Sequence, residues 1–352
     1  MASTVRGGRA AAPSVLPAAL PELAQLERLL DAAPSSVGVR TACEVSCGGR
    51  RLPVYSITLG NPDSSAPCVG FFGGVHGLER IGTQVLLHFL ERLLERLGTD
   101  AGLHRRLENL RLVFMPLVNP GGMLQTTRSN PRGVDLMRNA PVEASGKVPF
   151  MLGGQRFSAR LPWFRGGATM EDESRALCEV VEREMLGRRF AVALDCHSGF
   201  GLTDRIWFPY AHTATPIRHL AEIHALSAMF DRDCPRHAYL FEPQSVQYRT
   251  HGDLWDHLYQ RALASGDGAF LPLTLEMGSW RWMLEKPRQL FSRLGFFNPL
   301  PAQRHAQVLR QHLPWLEFLT RSSGNWTDWL PTGPERARHE RAGQLRWYGS
   351  AA

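Results

Sequence analysis

The chain has 352 residues, of which 43% are apolar and 21% charged, which fits one large or two small globular domains and excludes a chain too polar to bury a core. No apolar run approaches the roughly 20 residues that cross a bilayer, which argues against a membrane-spanning protein. The formal net charge is +7, but nearly every basic residue is arginine, with Lys147 and Lys286 the exceptions, and the arginines are scattered rather than gathered in one run with aromatics, so neither a nucleic-acid nor a membrane partner is expected.

Residues 1–20 are rich in Ala, Pro and Gly and lack the apolar core of about 7–15 residues that a signal peptide needs, so a loose arm and a cytoplasmic protein are expected. Leu23, Leu26, Leu29 and Leu30 predict a surface helix over Pro21–Ala33. Two strands, Arg40–Ser46 and Leu52–Leu59, are predicted around the turn at Gly48 and Gly49. An alternating pattern follows. Strands are predicted at Pro67–Phe72, Leu112–Val118, Phe190–Leu194 and Phe270–Leu275. Helices are predicted at Ile81–Leu97, Glu171–Met185, Pro216–Phe230, Leu254–Leu263 and Pro301–Thr320. Continuous apolar strands between helices indicate a single α/β domain with a mixed, largely parallel twisted sheet covered by helices on both faces. The expected division is an arm and helix over 1–34, lead-in strands over 35–66, the main domain over 67–320 and a tail over 321–352 whose tryptophans pack on the domain surface. Six cysteines without a C-x-x-C pair read as reduced, mostly buried thiols.

Polar groups gather where the strands end. His76 and Glu79 follow the first buried strand in GGVHGLERIG, Asn119-Pro120-Gly121-Gly122 the second, Asp195-Cys196-His197-Ser198-Gly199 the third, and Glu276 the fourth. Open α/β sheets bind ligands outside the carboxyl ends of their strands, which places the active site at that edge. Two histidines and a carboxylate (His76, Glu79, His197) form the donor set of a catalytic zinc site with one position open. His76 is expected in the turn, Glu79 on the first turn of the next helix, and the glycines are expected to let backbone approach the ion.

These motifs, in this order from Pro67 to Gly278, resemble the zinc metallocarboxypeptidases of the carboxypeptidase A/B type. HGLERIG resembles the family's first zinc motif, TRSNPRGVDLMRN its arginine-bearing segment, and DCHSG the segment with the last ligand. The resemblance implies Zn2+ held by His76, Glu79 and His197, and Glu276 as the catalytic base. It implies Arg128 as the oxyanion donor, Arg138 as the clamp on a substrate carboxylate, and Tyr248 as a tyrosine that closes on substrate. It also groups Asn130 with the substrate-binding residues and places Trp255 at the floor of the specificity pocket. Two departures stand out: Met137 replaces the Asn that commonly precedes the clamp arginine, leaving Asn139 or Arg132 as substitutes, and Trp255 is large for a pocket floor. Both weigh against ordinary trimming of long peptides. The expected function is zinc-dependent hydrolysis of a small peptide near its C-terminal carboxylate. The alternative is an N-acyl amino acid deacylase of the desuccinylase or aspartoacylase kind, acting on an acylated amino acid. No G-x-S-x-G elbow follows a strand, which argues against a serine hydrolase.

Overall fold

The computed structural model describes residues 19–266 and 268–349; the expected arm lies almost wholly outside them. The first helix, α1 (Pro21–Asp31), precedes the hairpin β1 (Gly38–Cys47) and β2 (Arg50–Gly60). Then come β3 (Cys68–Gly73), α2 (Arg80–Leu97), α3 (Ala101–Leu107), β4 (Arg111–Met115), α4 (Pro120–Gln125) and α5 (Asp172–Glu184). The second half holds β5 (Phe190–Ser198), β6 (Arg205–Phe208), α6 (Leu220–Asp233), β7 (Leu240–Pro243), α7 (Leu254–Ser265) and β8 (Ala269–Met277). It ends with α8 (Trp280–Glu285), α9 (Ala302–Gly324) and α10 (Gly333–Trp347).

All eight strands form one sheet in the order β1-β2-β4-β3-β5-β8-β6-β7. The centre, β4-β3-β5-β8, is parallel, and β2 and β6 join its two sides antiparallel. The hairpin expected as a lead-in therefore belongs to the same sheet. Every residue of β3, β5 and β8 is buried, as strands covered on both faces must be. Helices α2 and α9 pack together and against β3 and β5, while α7 packs against β8.

The third and fourth buried strands run further than their apolar stretches suggest. Strand β5 continues through Asp195, Cys196, His197 and Ser198, and β8 continues through Glu276 and Met277. The polar residues thus stand on the sheet itself, where the backbone ladder fixes them. The two short strands β6 and β7 and the helix α10 have no counterpart in the sequence reading. The tail aromatics do pack on the domain: Trp326 stacks on Phe190 at 5.7 Å, and the Trp347 indole donates to the Phe241 carbonyl (2.6 Å).

Candidate active site

Glycine brings the elements of the site together. A Cβ on Gly77 would lie 2.1 Å from the Gly122 carbonyl carbon, and one on Gly82 would lie 2.3 Å from the Cys196 carbonyl oxygen. Only residues without side chains let the start of α2 meet α4 and β5 so closely. The glycines therefore serve chain–chain contact. Glu79 occupies the N-cap of α2 rather than its first turn. Asn298, far along the chain, bonds this junction: it accepts from the Ile81 amide (2.9 Å) and donates to the Leu78 carbonyl (2.8 Å).

His76, Glu79 and His197 converge, with one ligand atom of each inside 4.8 Å of the others. The two Nδ1 atoms are 3.2 Å apart. Glu79 Oε1 is 2.8 Å from His76 Nδ1, and its Oε2 is 2.9 Å from His197 Nδ1. Each ring is oriented from behind by a carboxylate. His76 Nε2–H donates to Asp135 Oδ1 (3.1 Å), and His197 Nε2–H donates to Asp195 Oδ2 (2.7 Å). That leaves both Nδ1 atoms facing Glu79, so that two imidazoles and a carboxylate surround one point, which fits a divalent metal such as zinc.

The electrostatics agree. Burial lowers the pKa of His197, but Asp195 and Glu79 outweigh it and hold it well above the ordinary value. Burial raises that of Glu79, but His76 and His197 pull it lower on balance. A buried pocket that draws protons this strongly is also favourable for a dication.

Around this point lies a cavity of about 190 Å³, whose walls include Arg128, Arg138, Tyr248, Asp253, Thr274 and Glu276. It falls below the roughly 300–1,000 Å³ of drug-sized pockets and suits a single residue. Arg128 donates from Nε to Asp135 (2.9 Å) and from Nη1 to Glu79 (3.2 Å), with 24% of its side chain still open. Arg138 is buried in the wall, where Nη1 donates to the Met137 carbonyl (3.3 Å) and Nε to the Leu152 carbonyl (3.4 Å); its side chain also bonds Tyr248, and its charge opposes the rise in the Asp253 pKa. Tyr248 packs its ring between Phe200 (5.7 Å) and Trp207 (6.0 Å). Burial pushes the Glu276 carboxyl up to about 8, helped by nearby Glu79 and opposed by His197 and Arg128.

Two residues expected at the substrate are not there. Asn130 lies outside the cavity wall; its amide donates to Glu171 (2.9 Å) and its oxygen accepts from the Arg132 and Val134 amides, so it fixes a loop. Trp255 does not floor the pocket. Its indole donates to Asp195 Oδ2 (2.9 Å) behind His197, and its ring packs on Phe72. Asn139 and Arg132 do not replace the missing donor either: Asn139 bonds Arg165 and Glu171 backbone, and Arg132 pairs with Glu171. Met137 itself lines the cavity.

Asp253 is the residue that sequence reasoning passed over. It is 2% exposed. Its Oδ1 caps α7 by accepting from the amides of Trp255 (3.0 Å) and Asp256 (2.9 Å). Its Oδ2 has no hydrogen-bond partner. Burial and the Asp256 charge push the carboxyl up to about 7.

A profile of the zinc carboxypeptidase family, peptidase M14, matches residues 23–281. Human carboxypeptidase D is 32% identical over 108 residues, which cover 27% of this chain and 8% of that protein. Carboxypeptidase SOL1 of Arabidopsis thaliana is 33% identical over 75 residues, 21% of this chain and 15% of that one. The chain thus matches only a small part of these relatives' length. Among solved structures, carboxypeptidase A from Helicoverpa armigera superposes with a TM-score of 0.63 at 17% identity, covering 85% of this chain and 71% of that one. Bovine thrombin-activatable fibrinolysis inhibitor, solved with tick carboxypeptidase inhibitor, gives 0.60 at 17% identity, covering 86% and 96%. These two likenesses concern the fold. The family match, which spans well over half of the chain, establishes that this chain belongs to the zinc carboxypeptidase family of metallopeptidases.

Proposed function

We propose that the chain hydrolyses the last peptide bond of short peptides that end in a free carboxylate. The observation that carries this reading is one cavity that joins the His76–Glu79–His197 cluster, Glu276 and the buried guanidinium of Arg138. Zinc in that cluster would supply Lewis acidity and a water of lowered pKa. The rest belongs to the chain. Glu276 takes the water's proton and delivers it to the departing amine, a role suited to a carboxyl raised towards neutrality. Arg128, anchored by Asp135 and Glu79, points its remaining N–H groups at the negative charge that develops on the carbonyl oxygen. Arg138 pairs with the terminal carboxylate, a charge-assisted contact strengthened by burial.

Asp253 supports a finer reading of substrate. A buried carboxylate in the cavity wall with one unpartnered oxygen is best satisfied by a donor, above all an ammonium, on the side chain of the C-terminal residue. The test is hydrolysis by the zinc-loaded protein of matched dipeptides ending in lysine or in neutral norleucine, each free or amidated, beside N-acyl amino acids. Preference for free carboxylates supports the peptidase reading, and preference for lysine supports Asp253. Cleavage of N-acyl amino acids alone would overturn both.

A further inference from the structure

Two stretches of chain contribute to the cavity wall. Residues 144–170 give Leu152 and Trp163 to its wall, and residues 278–304 give Phe296 and Phe297. The first stretch holds four basic residues and no acidic one; the second holds five and one. Their combined excess of eight positive charges exceeds the +7 of the whole chain. Charge that looks scattered along the sequence is therefore weighted towards these two stretches, with Arg281, Glu285 and Arg304 on a separate cavity beside Asp204 and Trp315. Arg165 and Arg156 pair with Glu143 and Arg304 with Glu285, but Arg160, Lys286, Arg288 and Arg293 are exposed.

The same stretches expose apolar side chains. Phe291 is 93% exposed, Phe150 83% and Leu284 70%, and eight of the thirteen exposed large hydrophobics among the described residues fall here. Phe150 and Phe157 stack on each other (6.2 Å) while both stay exposed. Clustered apolar exposure of this kind marks a contact surface rather than random surface composition.

We propose that this rim docks on an anionic lipid bilayer, with its aromatic and aliphatic side chains in the headgroup region and its arginines and lysines paired with lipid anions. Exposed Phe and Leu interleaved with Arg and Lys are the composition of interfacial membrane contacts. Such a contact needs no spanning segment, and no helix among the described residues is long and apolar enough to cross a bilayer. Charge decides against a second copy of the chain, because two-fold pairing would set one basic rim against another. An apolar peptide in the cleft would meet the cavity wall but leave the exposed cations outside it without a partner.

The test is co-sedimentation of the full chain with phosphatidylcholine vesicles and with vesicles that also contain phosphatidylserine. Binding is expected to the anionic vesicles alone and to weaken as salt rises. Leu290→Ser with Phe291→Ser, and separately Lys286→Gln with Arg288→Gln, should each lower the bound fraction about tenfold or more. None of the four side chains lines the cavity, so hydrolysis of a soluble peptide should be unchanged. Equal behaviour with both vesicle types, or variants that bind like the parent, would overturn the proposal. Lipid-free self-association that Phe291→Ser abolishes would reassign the face to a second copy.

Discussion

His197 and Glu276 are register partners on the neighbouring parallel strands β5 and β8, so the proposed metal ligand and the proposed base are held by one backbone ladder. Their relative position depends on sheet hydrogen bonds rather than on a loop, and a neutral isostere at 276 should not disturb the ligands. Glu276→Gln is therefore expected to bind zinc as the parent does while turnover falls by about 10²–10⁴, the usual contribution of a positioned base. Metal content by atomic absorption, measured beside turnover, checks both halves. Retained turnover would remove Glu276 from the proton path.

Asp195 sits two residues before His197 on β5, on the same side of the strand, and accepts from both the His197 ring and the Trp255 indole. Trp255 thus holds the carboxylate that holds the ligand. Trp255→Phe keeps most of the packing against Phe72 but removes the indole donor. Supporting groups of this kind are worth about 10–100-fold in metal affinity. Chelator competition should show a loss at the lower end of that range for Trp255→Phe and a larger one for Asp195→Asn. Unchanged zinc affinity in both variants would limit the pair to packing.

The His76–Glu79–His197 cluster was legible because its motifs are local and follow apolar strands. The substrate wall was not. Counting along HGDLWDH puts Trp255 at the pocket, but a helix turns about 100° per residue, so positions 253 and 255 point some 200° apart. Asp253 at the N-cap faces the cavity and Trp255 faces the sheet. The ends of β5 and β8 were misjudged for a related reason. An apolar pattern stops at the first charged residue, whereas the ladder carries buried Asp195 and Glu276 onwards because each has a partner or a function there. Asn298 could not be found at all, since its role depends on a contact between residues 217 positions apart.

Arg138 is expected to discriminate by charge. It is buried, its hydrogen bonds go to two backbone carbonyls and to Tyr248, and Asp253 and Asp135 act on it through charge, so a substrate carboxylate would be an anion it bonds directly. Losing one side of such a buried pair costs about 2–5 kcal/mol, roughly 30-fold or more. Arg138→Ala should raise KM by that factor for free peptides and leave their amides unaffected. An equal effect on both would show that Arg138 shapes the cavity without binding the carboxylate.

Asp253 makes stability depend on pH in a particular direction. Its carboxyl titrates at about 7 in the fold against an ordinary 3.8. A carboxyl raised by folding keeps its proton after the unfolded chain has lost its own, so its contribution is complete below about pH 4 and is lost as pH rises towards 7. Asparagine at this position preserves the cap on α7 and has no proton to lose. Asp253→Asn should therefore gain stability over the parent as pH rises from about 5 to about 7.5, by on the order of a few kcal/mol at ~1.4 kcal/mol per pKa unit. Urea unfolding of the metal-free protein at those two pH values measures the difference. Adding free lysine should shrink it, because an ammonium beside Asp253 favours the ionised carboxylate, whereas norleucine should not. A stability difference that is flat with pH would mean that Asp253 is already ionised in the fold, and one that lysine does not move would separate the carboxylate from substrate selection.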